Sequence, residues 1–202
     1  GYTKDTDILK HINFKLERKK TYALVGPTGG GKSTTASLMA RLYDPTEGTI
    51  LLHGKDIRSF EPEVLANKVG FILQDPFLFS GTVAQNIVYG NDAYAALSNE
   101  DLARKLKNEG LSDLLKRFDQ GLDTKVETSS SSISLGQKQL IAFIRAALRH
   151  PELIILDEAT ANVDTVTEKL LDDIIKSLPK ETTIVVIAHR LNTIENADQI
   201  LF

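Results

Sequence analysis

The chain has 202 residues, 42% of them hydrophobic, and 24 Lys and Arg against 27 Asp and Glu give a formal net charge of -3. That is enough apolar material for one large α/β domain, or for a domain with an insertion, and the acidic balance argues against a general nucleic-acid binder, which is usually basic. The absence of cysteine excludes disulfides and thiolate metal sites, and no run reaches the roughly 18 apolar residues that a membrane-spanning helix needs.

Residues 1 to 20 alternate weakly through Ile8, Leu9, Ile12, Phe14 and Leu16, which predicts an antiparallel strand. Thr21 to Val25 reads as a short buried strand. It runs into Gly26-Pro27-Thr28-Gly29-Gly30-Gly31-Lys32-Ser33, which fits G-x-x-x-x-G-K-[ST], a phosphate-binding loop. Ser33 to Leu42 follows as a helix with an apolar stripe at Ala36, Met39, Ala40 and Tyr43. Strand, glycine loop and helix start are the context this motif requires. Glycines let the backbone wrap a phosphate without Cβ clashes, and their N–H groups make an anion nest. The helix N-terminus, which begins at Ser33-Thr34, adds partial positive charge. Lys32 reaches the β- and γ-phosphates of a bound triphosphate, and the Ser33 hydroxyl is a ligand for Mg2+.

Gly48 to Gly54 is predicted as a strand ending in a Gly turn, and Val69 to Leu73 as a buried strand broken by Gln74-Asp75-Pro76. From Phe77 to Arg149 the chain turns helical and more polar. Ser98 opens a helix through Glu109, Ser112 caps a second over Asp113 to Phe118, and Ser129 to Ser132 form a short loop. Ser134 starts a third helix that runs to His150, before Pro151. This block, residues 77 to 149, reads as a helical subdomain inserted into an α/β core made of 1 to 76 and 150 to 202. The core resumes with Leu153 to Leu156, a continuous apolar strand of the buried parallel type. A helix over Thr165 to Leu178, a strand at Thr183 to Ile187, a short helix over Leu191 to Asn196 and a last strand from Gln199 complete it. Strands alternating with helices imply a mostly parallel sheet, with ligands at the carboxyl ends of the strands.

Candidate chemistry sits at those ends. Asp157, directly after an apolar strand, is placed to hold Mg2+ through its waters. Glu158, one residue further, is placed to orient or deprotonate an attacking water. His189 follows the strand Thr183 to Ile187, where an imidazole can hydrogen-bond a γ-phosphate. Gln74 ends a strand too, and its amide can coordinate Mg2+ or the attacking water. His11, His53 and His150 have no such placement.

This constellation resembles the ATP-binding domain of ABC transporters over essentially the whole chain. The sharpest marker is Ile133-Ser134-Leu135-Gly136-Gln137-Lys138-Gln139, which is similar to the family signature L-S-G-G-Q-R-Q. The resemblance implies a P-loop nucleotide triphosphatase fold with a mostly parallel sheet, an antiparallel β subdomain and an inserted helical subdomain. It implies ATP and Mg2+ as ligands, with Tyr2 stacking on adenine and Ser134, Gly136 and Gln137 closing over ATP held by a partner. Ala159 to Asp164 matches the loop that crosses to a second subunit. The partner would be a second ABC ATP-binding domain, identical or different, paired head to tail. Gln74 to Ile87 resembles the exporter branch, where this region receives the transmembrane domain of the same transporter; Phe77, Leu78 and Phe79 are the candidate docking side chains. The implied location is the cytoplasmic face of a membrane.

Gly1 at the start and the apolar run before Phe202 suggest a piece of a longer protein. Two positions depart from the family pattern. Leu135 stands where the signature has glycine, and Val126-Glu127-Thr128-Ser129-Ser130 replaces V-G-E-x-G. The alternative functional class is a soluble ABC-type ATPase acting on nucleic acid or ribosomes. The net charge and the exporter-like segment count against it, so no nucleic acid is expected.

Overall fold

The structure is a computed structural model, and it describes residues 8–127, 133–157, 169, 175, 178, 181–187 and 197–202. The chain divides into two compact units. Gly1–Phe71, His150–Glu158 and Lys180–Phe202 form one, and Ile72–Arg149 with Ala159–Pro179 the other.

The first unit is built on a parallel sheet. In chain order its described elements are β1 (Thr21–Leu24), α1 (Lys32–Met39), β2 (Leu51–Leu52), β3 (Lys55–Asp56), α2 (Pro62–Lys68), β4 (Val69–Ile72), β7 (Leu153–Asp157), β8 (Thr183–Ile187) and β9 (Gln199–Leu201). Among the described residues, five strands make one sheet in the order β4-β7-β8-β1-β9. β8 lies between β7 and β1 in parallel register, with Ile155 opposite Val185 and Tyr22 opposite Val185 on its other side. β9 pairs parallel with β1, Ala23 opposite Ile200. Ile154, Ile155 and Val185 have no solvent exposure, as strands covered on both faces require. Tyr22, Ala36, Met39, Ile57, Leu65 and Val69 pack with Ile155 and Val185 into one core. Each of its larger aliphatic side chains contributes about 1.5–3 kcal/mol by leaving water. Tyr22 is the polar exception; its hydroxyl accepts from the Glu17 backbone N–H at 2.7 Å.

β2 and β3 form an antiparallel hairpin, with Leu52 opposite Lys55. His53 (φ 53°) and Gly54 (φ 75°) make its tip, the two positive φ values that a tight two-residue hairpin turn demands. The strand expected over 48 to 54 is thus the first arm of this hairpin. α2 starts with Pro62 in its first turn, where a missing N–H costs nothing. The strand expected within residues 1 to 20 does not form over the described part, 8 to 20. His11 (φ 55°) and Lys19 (φ 67°) leave the extended region, and the Lys19 N–H is taken by the Thr183 hydroxyl at 3.1 Å. Tyr43, expected on the apolar stripe of α1, lies beyond the helix and is 55% exposed.

The second unit contains β5 (Gly81–Thr82), α3 (Val83–Val88), α4 (Asp92–Ala95), α5 (Asn99–Asn108), β6 (Lys125–Val126) and α6 (Leu135–Ala147). β5 and β6 pair antiparallel. Ser98 caps α5 by accepting from the Asp101 N–H at 3.1 Å, and Leu102 and Leu106, one turn apart, are its buried face. Ser112 does not cap an α-helix. Ser112–Arg117 is a 3-10 helix that Leu111 precedes, and Leu111 and Leu114 are its buried side chains. α6 is almost wholly buried and is the central element of this unit. The helices expected over 165 to 178 and 191 to 196 lie outside the described residues, apart from Lys169, Ile175 and Leu178. Among the described residues no helix is long and apolar enough to cross a membrane.

Candidate functional site

The glycine loop joins the end of β1 to the start of α1, at the carboxyl edge of the sheet. Gly31 is the N-cap of α1 with φ 86°, and Gly29 has φ 81°; these left-handed conformations suit glycine. A Cβ at Gly31 would also sit 2.4 Å from the Leu9 side chain. The Gly30 N–H donates to the Pro27 carbonyl at 3.0 Å and closes the turn. Pro27, Thr28, Gly29 and Gly30 face solvent, while Lys32 is only 8% exposed and Thr34 is half-buried. The Lys32 ammonium donates to the carbonyls of Gly26 (2.8 Å) and Pro27 (2.9 Å). A buried charge needs such partners. It is therefore held inside the curl of the loop, not spread along the surface.

The next residue, Ser33, donates its hydroxyl to the Asp157 carboxylate at 3.2 Å across 124 positions of sequence. The parallel order of the sheet produces this meeting, because the loop leaves β1 and Asp157 ends β7 at the same edge. A hydroxyl beside one carboxylate is a hard oxygen pair that suits Mg2+. That ion keeps several waters and takes its other ligands from phosphates. Among the described residues no group of three or more His, Cys, Asp or Glu is placed to hold a metal, so an ion enclosed by protein ligands alone has no donor set there. Ser33 and Asp157 fit the ion, and the fit depends on phosphate oxygens completing the shell.

The remaining candidates divide into two groups. Tyr2, Glu158, Ala159 to Asp164 and His189 lie outside the described residues, as does Thr128. Gln74, Ser134, Gly136 and Gln137 belong to the second unit. Ser134 caps α6 with a reciprocal pair: its hydroxyl accepts from the Gln137 N–H at 3.2 Å, and Gln137 Oε1 accepts from the Ser134 N–H at 2.9 Å. Gln137 Nε2 donates to the Arg117 carbonyl at 2.6 Å, so both ends of this amide support the fold. Leu135, half-buried, opens the helix and Gly136 is buried behind it. Of the three candidate docking side chains, Phe77 is 68% exposed, Phe79 is half-buried and Leu78 is 5% exposed. Leu78 therefore belongs to the core of its unit. Phe77 meets Phe79 edge-on at 5.0 Å, and Phe79 lies 4.1 Å from the Tyr89 ring.

Three polar residues of this unit, Asn86 and Arg145 bonded to each other and Gln139 separately, support the backbone in a way that sequence reasoning missed. Asn86, 1% exposed, accepts from the Phe79 N–H at 2.8 Å and donates to the carbonyls of Phe79 and Thr82. Arg145 of α6 donates to the Asn86 carbonyl (2.7 Å), the Asn86 side chain (3.3 Å) and the Phe77 carbonyl (3.2 Å). Burial lowers its pKa from the usual arginine value, and the neighbouring Arg149 charge lowers it further. Gln139, with no exposure, donates to the Gln74 carbonyl at 2.9 Å. Their only sequence signal was polarity among the apolar residues of α3, for Asn86, and of α6, for Gln139 and Arg145.

Comparison with known proteins places this geometry in context. The family model described as ABC transporter matches residues 9–161. The chain is 45% identical over 202 residues to the uncharacterized ABC transporter ATP-binding protein YfiC of Bacillus subtilis, covering 100% of this chain and 33% of that protein. It is 44% identical over 199 residues to the ATP-dependent lipid A-core flippase of Yersinia pestis, covering 98% and 34%. A solved structure of a bacterial Atm1-family ABC exporter with ATP bound superposes with a TM-score of 0.86 at 37% identity, covering 100% of this chain and 35% of that one. The chain thus spans about a third of the length of these relatives.

Proposed function

The chain belongs to the ABC transporter family, and from that premise we propose that it binds and hydrolyses ATP with Mg2+ to drive export across a membrane. The observation that carries this reading is the Ser33 to Asp157 contact beside the buried Lys32. It puts a cation for phosphate oxygens and an oxygen pair for the metal on one sheet edge. Lys32 exchanges its two loop carbonyls for the β- and γ-phosphate oxygens when ATP enters. The loop N–H groups and the α1 N-terminus face the phosphates. Ser33 and Asp157 would hold the Mg2+, and Gln74 is proposed as a further ligand. When bound, the ion neutralises charge on the β- and γ-phosphates.

Glu158 is the group that orients or deprotonates the attacking water, and His189 hydrogen-bonds the γ-phosphate. Tyr2 offers its ring to adenine, since stacking on a base face is sequence-tolerant and favourable. The second half of the site comes from Ser134, Gly136 and Gln137 of a second ABC ATP-binding domain paired head to tail. Phe77, exposed, with the half-buried Phe79 behind it, is the surface for the transmembrane domain of the same transporter, an exposed apolar side chain of the kind that marks an interface. The domain then works at the cytoplasmic face. The lipid A-core flippase and the ATP-bound exporter support this reading by their likeness to the chain.

The test is the dependence of hydrolysis on protein concentration. Two chains complete each site in this reading, so the rate per chain rises with concentration and then saturates. Hydrolysis at a rate per chain independent of concentration, down to nanomolar protein, contradicts the paired site.

A further inference from the structure

α6 carries Ser134 at its N-cap and Gln139 one and a half turns later. Gln139 is completely buried and flanked by the buried Leu140 and Ile141. Its Nε2 donates to the Gln74 backbone carbonyl at 2.9 Å. Its Oε1 has no hydrogen-bond partner among the described residues. A buried amide satisfied at one end is less favourable than an apolar side chain of the same shape. The bond it does make is therefore the reason to expect an amide here. Two more α6 side chains hold the same turn. Lys138 Nζ lies 3.5 Å from the Asp75 carboxylate, and Arg145 donates to the Phe77 carbonyl at 3.2 Å.

We propose that Gln139 is a positioning residue for Gln74. The bond fixes the Gln74–Asp75 peptide plane, and with it the direction in which the Gln74 side chain leaves the backbone. Gln139 touches neither nucleotide nor metal; it acts through Gln74, and the proposal rests on the role given to Gln74 above. Because Gln139 shares its helix with Ser134, the Gln74 backbone stays in register with the signature serine within this unit. A hydrogen bond to a main-chain carbonyl is independent of the identity of residue 74. A Gln74 substitution therefore leaves the tie intact and removes only what the tie presents.

The experiment uses the full chain in four forms: wild type, Gln139→Met, Gln74→Ala and the double variant. Met keeps the length and volume of Gln and removes the unpaired acceptor. The melting temperature of Gln139→Met stays at or above the wild-type value. Its kcat falls about fivefold, the range one neutral hydrogen bond commands, and its Mg2+ requirement rises, while KM for ATP at saturating Mg2+ is unchanged. The Mg2+-dependent part of the thermal protection that ATP gives needs correspondingly more Mg2+, a readout that needs no turnover. The double variant behaves like Gln74→Ala alone. Unchanged Mg2+ dependence in Gln139→Met, or a double variant whose losses multiply, overturns the proposal. Should Met lower the melting temperature, Gln139→Leu is the second variant. Lowered stability in both with normal kinetics below the transition identifies a purely structural residue and overturns the proposal as well. If Gln74→Ala itself leaves kcat and Mg2+ dependence intact, the role of Gln74 fails and this proposal with it. If only Gln139→Met is silent, this proposal fails alone.

Discussion

Ser33 and Asp157, 124 residues apart, meet through a 3.2 Å hydrogen bond from hydroxyl to carboxylate. The contact joins the residue after the loop lysine to the last residue of β7. It is the point where the metal is expected to enter. Asp157→Asn keeps the shape and removes the charge. A charge-assisted contact contributes about 1.5–3 kcal/mol, so the Mg2+ needed for half-maximal hydrolysis rises about tenfold or more. ATP binding measured in EDTA changes little. A Mg2+ titration of hydrolysis checks this; an unchanged midpoint removes Asp157 from the metal site.

Glu152, just before β7, ties three segments of the first unit together. Lys68 donates to it at 2.5 Å, its other oxygen meets His53 Nε2, and its N–H donates to the Lys68 carbonyl. The hydrogen bond from Lys68 holds its carboxyl below the usual glutamate value, with burial opposing and His53 adding to the lowering. The charged form is thus favoured by folding. Its contribution is complete above the unfolded value of about 4.3 and is lost as pH falls through the lower folded value. The group is partly exposed, so the contribution is at most about 1 kcal/mol. Thermal melts of wild type and Glu152→Gln should differ by a constant amount above about pH 4.3 and converge as the pH falls further. A difference that persists unchanged into acid contradicts the assignment.

Arg145 is the main polar support of the Phe77–Asn86 stretch. Arg145→Met removes three hydrogen bonds, two of them to the buried Asn86, and the domain loses roughly 2–4 kcal/mol of stability. Arg145→Lys does not restore it, because an ammonium cannot reproduce the planar fork that reaches two chain segments at once. Urea unfolding of the three forms measures both effects. Full rescue by lysine shows that charge alone matters there.

The sheet was legible because its strands are uninterrupted apolar runs: Leu153 to Leu156 and Thr183 to Ile187 have no other reading. α6 was legible from Ser134 at its start and Pro151 beyond its end, since caps and breakers are local devices written in local sequence. α2 was overlooked, although Pro62 preceded by Glu61 is a helix-start signal. The hairpin arm Lys55–Asp56 is too short and too polar to register as a strand. Ser112–Arg117 is 3-10 where Ser112 suggests the cap of an α-helix, because a serine at a helix start suits either kind of turn. At the candidate site, the glycine loop, Lys32 and Ser33 are contiguous and could be read as one motif. The partnership of Ser33 with Asp157 is a property of sheet order. The Asn86–Arg145 pair and the bond from Gln139 to Gln74 are properties of packing. None of them has a spacing in sequence that announces it.

The most direct test of the account is equilibrium titration of the chain with a fluorescent ATP analogue, wild type beside Lys32→Ala. Lys32 is buried at 8% exposure with its ammonium inside the loop, and it is the one loop side chain assigned to the β- and γ-phosphates. Losing that contact costs about 1.5–3 kcal/mol, a fall in affinity of about tenfold to a hundredfold. The account predicts saturable binding by wild type and a fall of that size in the variant, with both chains folded by circular dichroism. Equal affinity of two folded chains contradicts the assignment of this loop as the ATP site.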